Sequence, residues 1–126
     1  MLDTGASVSL IHENTLRRLK LKLHPLSQGQ PKLLISVLNK PLEILGETEA
    51  VIDVHSLKIY YKFVVVKFIC HNVIIGADFL TAAGAVVDFA NGFVTFADEL
   101  TRLPLIAPNA KKTGVFTVSS IFLCLL

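Results

Sequence analysis

Asp3, Thr4 and Gly5 stand in a row inside the stretch MLDTGASVSLI, flanked by aliphatic residues. A carboxylate can take a proton from water and turn it into a nucleophile. One aspartate does this poorly near neutral pH, because its pKa lies far below. Two carboxylates at hydrogen-bond distance cannot both ionise, so the pair holds one proton. One member then accepts from water while the other donates toward a carbonyl oxygen. Water attacks directly, with no covalent intermediate. Gly5 lets backbone approach such a pair. Thr4 carries a hydroxyl able to bridge to a neighbouring strand, and the apolar flanks exclude water and strengthen the coupling. Asp-Thr-Gly is also ordinary turn chemistry. In a chain of this length a given tripeptide arises by chance roughly a few times in a hundred, so the motif needs support from its surroundings. It occurs once, and Asp53, Asp78, Asp88 and Asp98 lack the Thr-Gly that follows Asp3.

The elements that must position Asp3 are mostly strands. Val8 to Ile11 reads as a short strand. Leu16, Leu19 and Leu23 recur at helical spacing, and Arg17, Arg18 and Lys20 lie where a helix C-terminus favours cations. This predicts one short helix over Glu13 to Leu19. From Pro31 the period becomes two, with arms around a tight turn at Asn39-Lys40. Leu42, Ile44, Ala50, Ile52 and Val54 are expected on one face, and Glu43, Glu47, Glu49 and Asp53 on a wet one. Gly46 interrupts this arm and predicts a bulge or bend. Leu57, Ile59, Tyr61, Phe63 and Val65 alternate onto one further face. Val73 to Ile75 is a continuous apolar run, as in a fully buried strand. ADFLTAAG predicts one or two helical turns closed by Gly84, and Asn91-Gly92 is the strongest hairpin signal. Pro104, Pro108, Lys111 and Lys112 mark a linker before an apolar tail. The sum is an all-β domain, closed or strongly curled, with two small helices.

Composition narrows the function. The 126 residues suit one domain, and an apolar fraction of 52% supplies a core and argues against disorder. A net charge of +2 is too mild to predict nucleic-acid binding. The basic run Arg17, Arg18, Lys20 and Lys22 reads as a solvated face. Cys70 and Cys124 form no C-x-x-C pair, and no signal peptide is read, which predicts reduced thiols in an intracellular, cytoplasmic protein. His12, His24, His55 and His71 are scattered, so no metal site and no cofactor is expected. VFTVSSIFLCLL is shorter than the roughly 20 residues of a spanning helix, so no membrane segment is expected.

LDTGASVSLI, then a long β hairpin, then VIIGADFL, then VVDF, is an order that resembles the retrovirus-type aspartic proteases, most of all those of retrotransposon polyproteins. The resemblance runs from Leu2 to Phe96. It implies a small closed, acid-protease-like β barrel with a flap hairpin, dimerising about a two-fold axis and cleaving polypeptides. Asp3 and its symmetry mate would be the catalytic pair. Thr4 would make a cross-subunit hydroxyl-to-backbone bond. Gly5, Ala6 and Ser7 would meet an extended substrate, and Leu38, Asn39 and Lys40 would form the flap. Ile74 would line a side-chain pocket, or serve as plain core. Gly76 and Asp78 match the family's Gly-x-Asp/Asn and would support the site from beneath.

The family places one or two strands ahead of its Asp-Thr-Gly, paired with the catalytic loop, whereas two residues stand there here. The expectation is therefore a protease domain over 1–103 that lacks those strands, as a fragment of a longer polyprotein or a truncated copy of one. Residues 104–126 would be a linker and an apolar tail, either an unrelated extension or a substitute interface strand. The turn Asn39-Lys40-Pro41 lacks the family's glycines and should be stiff. The alternative function is a non-catalytic dimerisation or binding module on the same fold.

Overall fold

The computed structural model describes residues 1–36, 38–54, 57–98, 101–106, 115–118 and 121–124. In chain order the elements are β1 (Leu2–Asp3), β2 (Leu10–His12), α1 (Glu13–Arg18), β3 (Ile44–Val54), β4 (Leu57–Val66), β5 (Val73–Ile74), α2 (Ala77–Ala82), β6 (Val86–Asp88), β7 (Phe93–Thr95), β8 (Arg102–Ile106), β9 (Val115–Val118) and β10 (Ile121–Cys124). They form two five-stranded sheets, ordered β1-β9-β8-β7-β6 and β10-β3-β4-β2-β5. The all-β class with two short helices is as the sequence pattern predicts. Sequence expectations for His55, Pro108, Lys111 and Lys112 lie outside the described residues.

The long alternating segment folds as the β3–β4 hairpin, and Leu57, Ile59, Tyr61, Phe63 and Val65 all contribute to the main core. Gly46 marks the predicted irregularity: the register shifts between Ile44 and Gly46. The extra residue turns Ile44 to the opposite face from Ala50, Ile52 and Val54. Ile44 and Leu42 therefore pack in a second cluster with Leu10, Val64 and Val66, and not in the main core as expected. Gly46 has φ +154°, and a Cβ there would lie 2.3 Å from the carbonyl oxygen of His24. Glycine is thus required by both its conformation and the approach of the His24 backbone.

Both helices lie where the spacing puts them. The His12 ring caps α1 by accepting from the Asn14 amide at 2.9 Å. Arg17 pairs with Glu13 at 3.1 Å, an exposed i,i+4 bridge of small energetic weight. α2 buries Phe79 and Leu80 and closes at Gly84, whose amide reaches the Thr81 carbonyl. The β6–β7 hairpin turns at Asn91-Gly92, where Asp88 accepts from both the amide and the side chain of Asn91.

Two expectations need correction. Val73 and Ile74 are half-buried, not fully buried, although backbone holds β5 on both sides: it pairs with β2, and the Val73 carbonyl accepts from the Met1 amino group at 2.8 Å. Pro104 does not mark a linker: it lies within β8, opposite Phe93. The Phe96 amide bonds the Thr101 carbonyl. Alternation along an antiparallel pair then makes Phe93 and Pro104 a non-hydrogen-bonded pair, so the missing amide costs the β7–β8 ladder nothing. The expected boundary at residue 103 falls inside this strand, and β9 and β10 pair onward with β1, β8 and β3.

Candidate active site

Asp3 closes β1, directly after Leu2, which is 1% exposed and anchors the strand in the core. The Asp3 amide donates to the Ile75 carbonyl at 2.8 Å, and the Ile75 amide donates to the Met1 carbonyl at 2.7 Å. The chain then turns sharply, with the Ala6 amide on the Asp3 carbonyl at 3.1 Å. Within that turn the Gly5 amide donates to Oδ1 of Asp3 at 2.9 Å. Asp3 and Thr4 are half-buried, and Gly5 and Ser7 are exposed. The carboxylate is therefore held by backbone at a surface that a substrate can reach.

The loop after Asp3 is clamped onto the start of α2. The Ala77 amide donates to the Ala6 carbonyl at 2.8 Å. Ser9, fully buried, accepts the Gly76 amide at 2.9 Å on its hydroxyl and donates the hydroxyl proton to Oδ1 of Asp78 at 2.7 Å. The same Oδ1 accepts the Phe79 amide at 2.7 Å. Gly76 has no side chain because none fits: a Cβ would lie 2.8 Å from the carbonyl oxygens of both Ala6 and Val8. Tyr61 also donates its phenol to Asp78, and burial together with that bond pushes the phenol up to about 12. The Tyr61 ring stands edge-on to Phe63 and Phe79, which fixes the phenol's aim.

A separate small hairpin carries Leu38 and Asn39. Its arms meet at an Ile35–Pro41 bridge, with the Leu42 amide on the Leu34 carbonyl and the Ser36 amide on the Lys40 carbonyl, both at 2.8 Å. Asn39 takes a left-handed φ of +58°, which asparagine tolerates. The tip is apolar and open, with Leu38 75% exposed and Leu33 and Ile35 also exposed. Leu34 and Leu42 at its base pack in the second cluster with Val8 and Ile74. Thus Asp3, Thr4, Gly5, Ala6, Gly76 and Asp78 converge on one loop-and-helix junction. Ile74 sits in the apolar cluster beside it, and Leu38 and Asn39 lie at the tip of the hairpin rooted in that cluster.

Three residues of this framework were not singled out by sequence reasoning. Ser9 could have been found as a lone hydroxyl between Val8 and Leu10. Tyr61 could have been found as an inward-facing phenol that needs a partner. Glu47 lies on the face expected to be wet but is 5% exposed, because the Leu21–Gln30 segment covers it. Its backbone exchanges two bonds with His24, both 2.8 Å, and Oε2 accepts the Ser27 hydroxyl at 2.9 Å. Burial pushes the Glu47 carboxyl up, but the Ser27 hydroxyl and amide, Lys62 and Gln30 together hold it below its ordinary value. Among the described residues no three His, Cys, Asp or Glu side chains gather as metal ligands, and no helix is long and apolar enough to cross a membrane.

No family model matches the chain, and no curated protein matches it. Solved structures do. The retroviral protease-like domain of Ddi1 from Leishmania major superposes with a TM-score of 0.60 at 18% identity, over 86% of this chain and 80% of that one. The EIAV protease in complex with the inhibitor HBY-793 superposes with a TM-score of 0.52 at 25% identity, over 71% of this chain and 79% of that one. The chain has a retropepsin-like fold, that of the retroviral aspartic proteases.

Proposed function

We propose that the chain is an aspartic endopeptidase that works as a two-fold homodimer on extended polypeptides. The observation that carries this reading is the Asp3 carboxylate, held by the Gly5 amide at the end of a buried strand and accessible from outside. Each copy carries one Asp-Thr-Gly, and the chemistry requires two carboxylates, so the second comes from another copy. One Asp3 takes a proton from water as its oxygen attacks the scissile carbonyl carbon. The protonated Asp3 of the other copy donates to the carbonyl oxygen. Collapse of the resulting diol returns a proton to the leaving nitrogen, and the peptide bond breaks.

In this reading Thr4 bonds backbone across the dimer axis, and Gly5, Ala6 and Ser7 present backbone to the substrate strand. The Leu38–Asn39 hairpin closes over the peptide as a flap, and Ile74 borders a side-chain pocket. The apolar hairpin suits substrates with apolar residues around the cut. A retrotransposon polyprotein is the natural source of such a substrate. Cys70 is an exposed free thiol, which fits a reducing intracellular compartment.

The test is cleavage of an apolar peptide library at mildly acid pH, with and without pepstatin, by the wild type and Asp3→Asn. Pepstatin-sensitive cleavage that falls by about 10² to 10⁴-fold in the variant supports the reading. Cleavage that survives the substitution refutes it. A folded wild-type chain with no cleavage identifies a non-catalytic module.

A further inference from the structure

β1 is only two residues long, and a strand that short frays unless both edges are held. One edge lies on Ile75, through the amides of Asp3 and Ile75. Backbone groups of successive strand residues point to opposite sides. The amide and carbonyl of Leu2 therefore face away from Ile75. They face β9, where Leu2 stands opposite Phe116 and Asp3 opposite Val115. The far edge of β9 lies on β8, with Leu105 opposite Val118 and Ile106 opposite Thr117. Two residues later β10 runs along β3, from Ile121 opposite Val54 to Cys124 opposite Val51. β9 and β10 thus belong to different sheets, and together they lace the strand of Asp3 to the long hairpin.

We propose that β9 and β10 are an in-chain brace that fixes the position of Asp3 and belongs to the working unit of the enzyme. This rests on the reading of Asp3 as catalytic. The resemblance places a strand from ahead of Asp-Thr-Gly beside the catalytic loop. In this fold a strand from the far end of the sequence holds that edge of β1. The brace acts through backbone, and its central residue is Phe116, whose amide and carbonyl face Leu2 by the same alternation.

The experiment compares wild type, Phe116→Pro and Phe116→Ala in the full chain. Phe116→Pro removes the amide, and Phe116→Ala keeps it. Hydrogen exchange of the Leu2 amide and peptide cleavage are measured in parallel. In Phe116→Pro, Leu2 exchange rises and cleavage falls, each by roughly tenfold to a hundredfold, the effect of one or two backbone bonds. In Phe116→Ala, Leu2 stays protected. Equal protection in Phe116→Pro and wild type, or equal loss in both variants, overturns the brace. A protected Leu2 in a wild type that never cleaves sinks the catalytic reading and leaves the brace standing.

Should Phe116→Pro fail to fold, a cross-link decides. Leu105 and Val118 form a non-hydrogen-bonded pair, the closer type at about 4.5 Å between Cα atoms, within disulfide range. Leu105→Cys with Val118→Cys, in a background of Cys70→Ser and Cys124→Ser, is oxidised and mapped by mass spectrometry. An intrachain disulfide between positions 105 and 118 supports the brace. No disulfide, or only an interchain one, overturns it.

Discussion

The hydroxyl of Ser9 lies 2.7 Å from Oδ1 of Asp78 and donates to it, joining two residues 69 apart in sequence. With the Gly76 amide on the same hydroxyl, this bond pins the loop after Asp3 to the start of α2. The carboxylate's position is therefore set by contacts outside the motif that carries it.

Ser9→Ala strands the Gly76 amide in a buried place and removes one donor from Asp78. Leaving such a group unpaired costs about 1–3 kcal/mol. Urea denaturation should show that loss. Cleavage should fall more than stability alone accounts for, because the loop that presents Asp3 loosens. An unchanged rate per folded chain would separate this network from the site.

Gly76→Ala should be costly although φ at Gly76 is an ordinary −97°. The methyl would meet two carbonyl oxygens at 2.8 Å, and both belong to backbone that cannot swing aside. Overpacking of this kind costs about 1–3 kcal/mol. The measurement is the denaturation midpoint. Ala at exposed Gly29, where a Cβ would meet nothing within 4 Å, is the control with little effect.

Tyr61→Phe keeps the edge-on ring contacts and deletes the phenol's bond to Asp78, for about 0.5–1.5 kcal/mol. The alkaline limb gives a second signature. The folded phenol titrates near 12 against an ordinary 10.0, so the folded state binds more protons between those values. Stability from this group is full below pH 10 and falls as pH rises toward 12. The stability difference between wild type and Tyr61→Phe should shrink across that window, and a difference that stays constant would exclude the phenol's part.

Glu47 acts at the other end of the scale. Its folded carboxyl sits below the ordinary 4.5, so it contributes stability above that value and loses it as pH falls through the lower, folded value. The Leu21–Gln30 segment should stay anchored at mildly acid pH and release only in stronger acid. Hydrogen exchange of the His24 amide against pH reads this directly. Glu47→Gln should flatten the dependence.

The local grammar of the sequence is well preserved in the fold. The Glu13 helix, the Gly84 stop, the Asn91-Gly92 turn and the Gly46 bulge all depend on a few neighbouring residues. What escaped depends on residues distant in sequence. One extra residue at the bulge reverses the face of Ile44. Glu47 points to the expected side, yet a separate segment covers it. β5 reads as buried from its composition, but how far its side chains are covered depends on segments distant in sequence. Pro104 looks like a breaker until the ladder phase turns its missing amide away from β7. The motif around Asp3 was legible at once, whereas its clamp through Ser9, Asp78 and Tyr61 joins three segments that no local pattern links.

The neighbours of β1 also set an order of events in folding. β3 and β4 meet across a two-residue gap, so their hairpin closes at small entropic cost and early. β1 instead waits for Ile75 on one side and Val115 on the other. Asp3 therefore reaches its final geometry among the last contacts of highest sequence separation. A nascent chain on the ribosome carries the Asp-Thr-Gly long before it has the strands that make it a site.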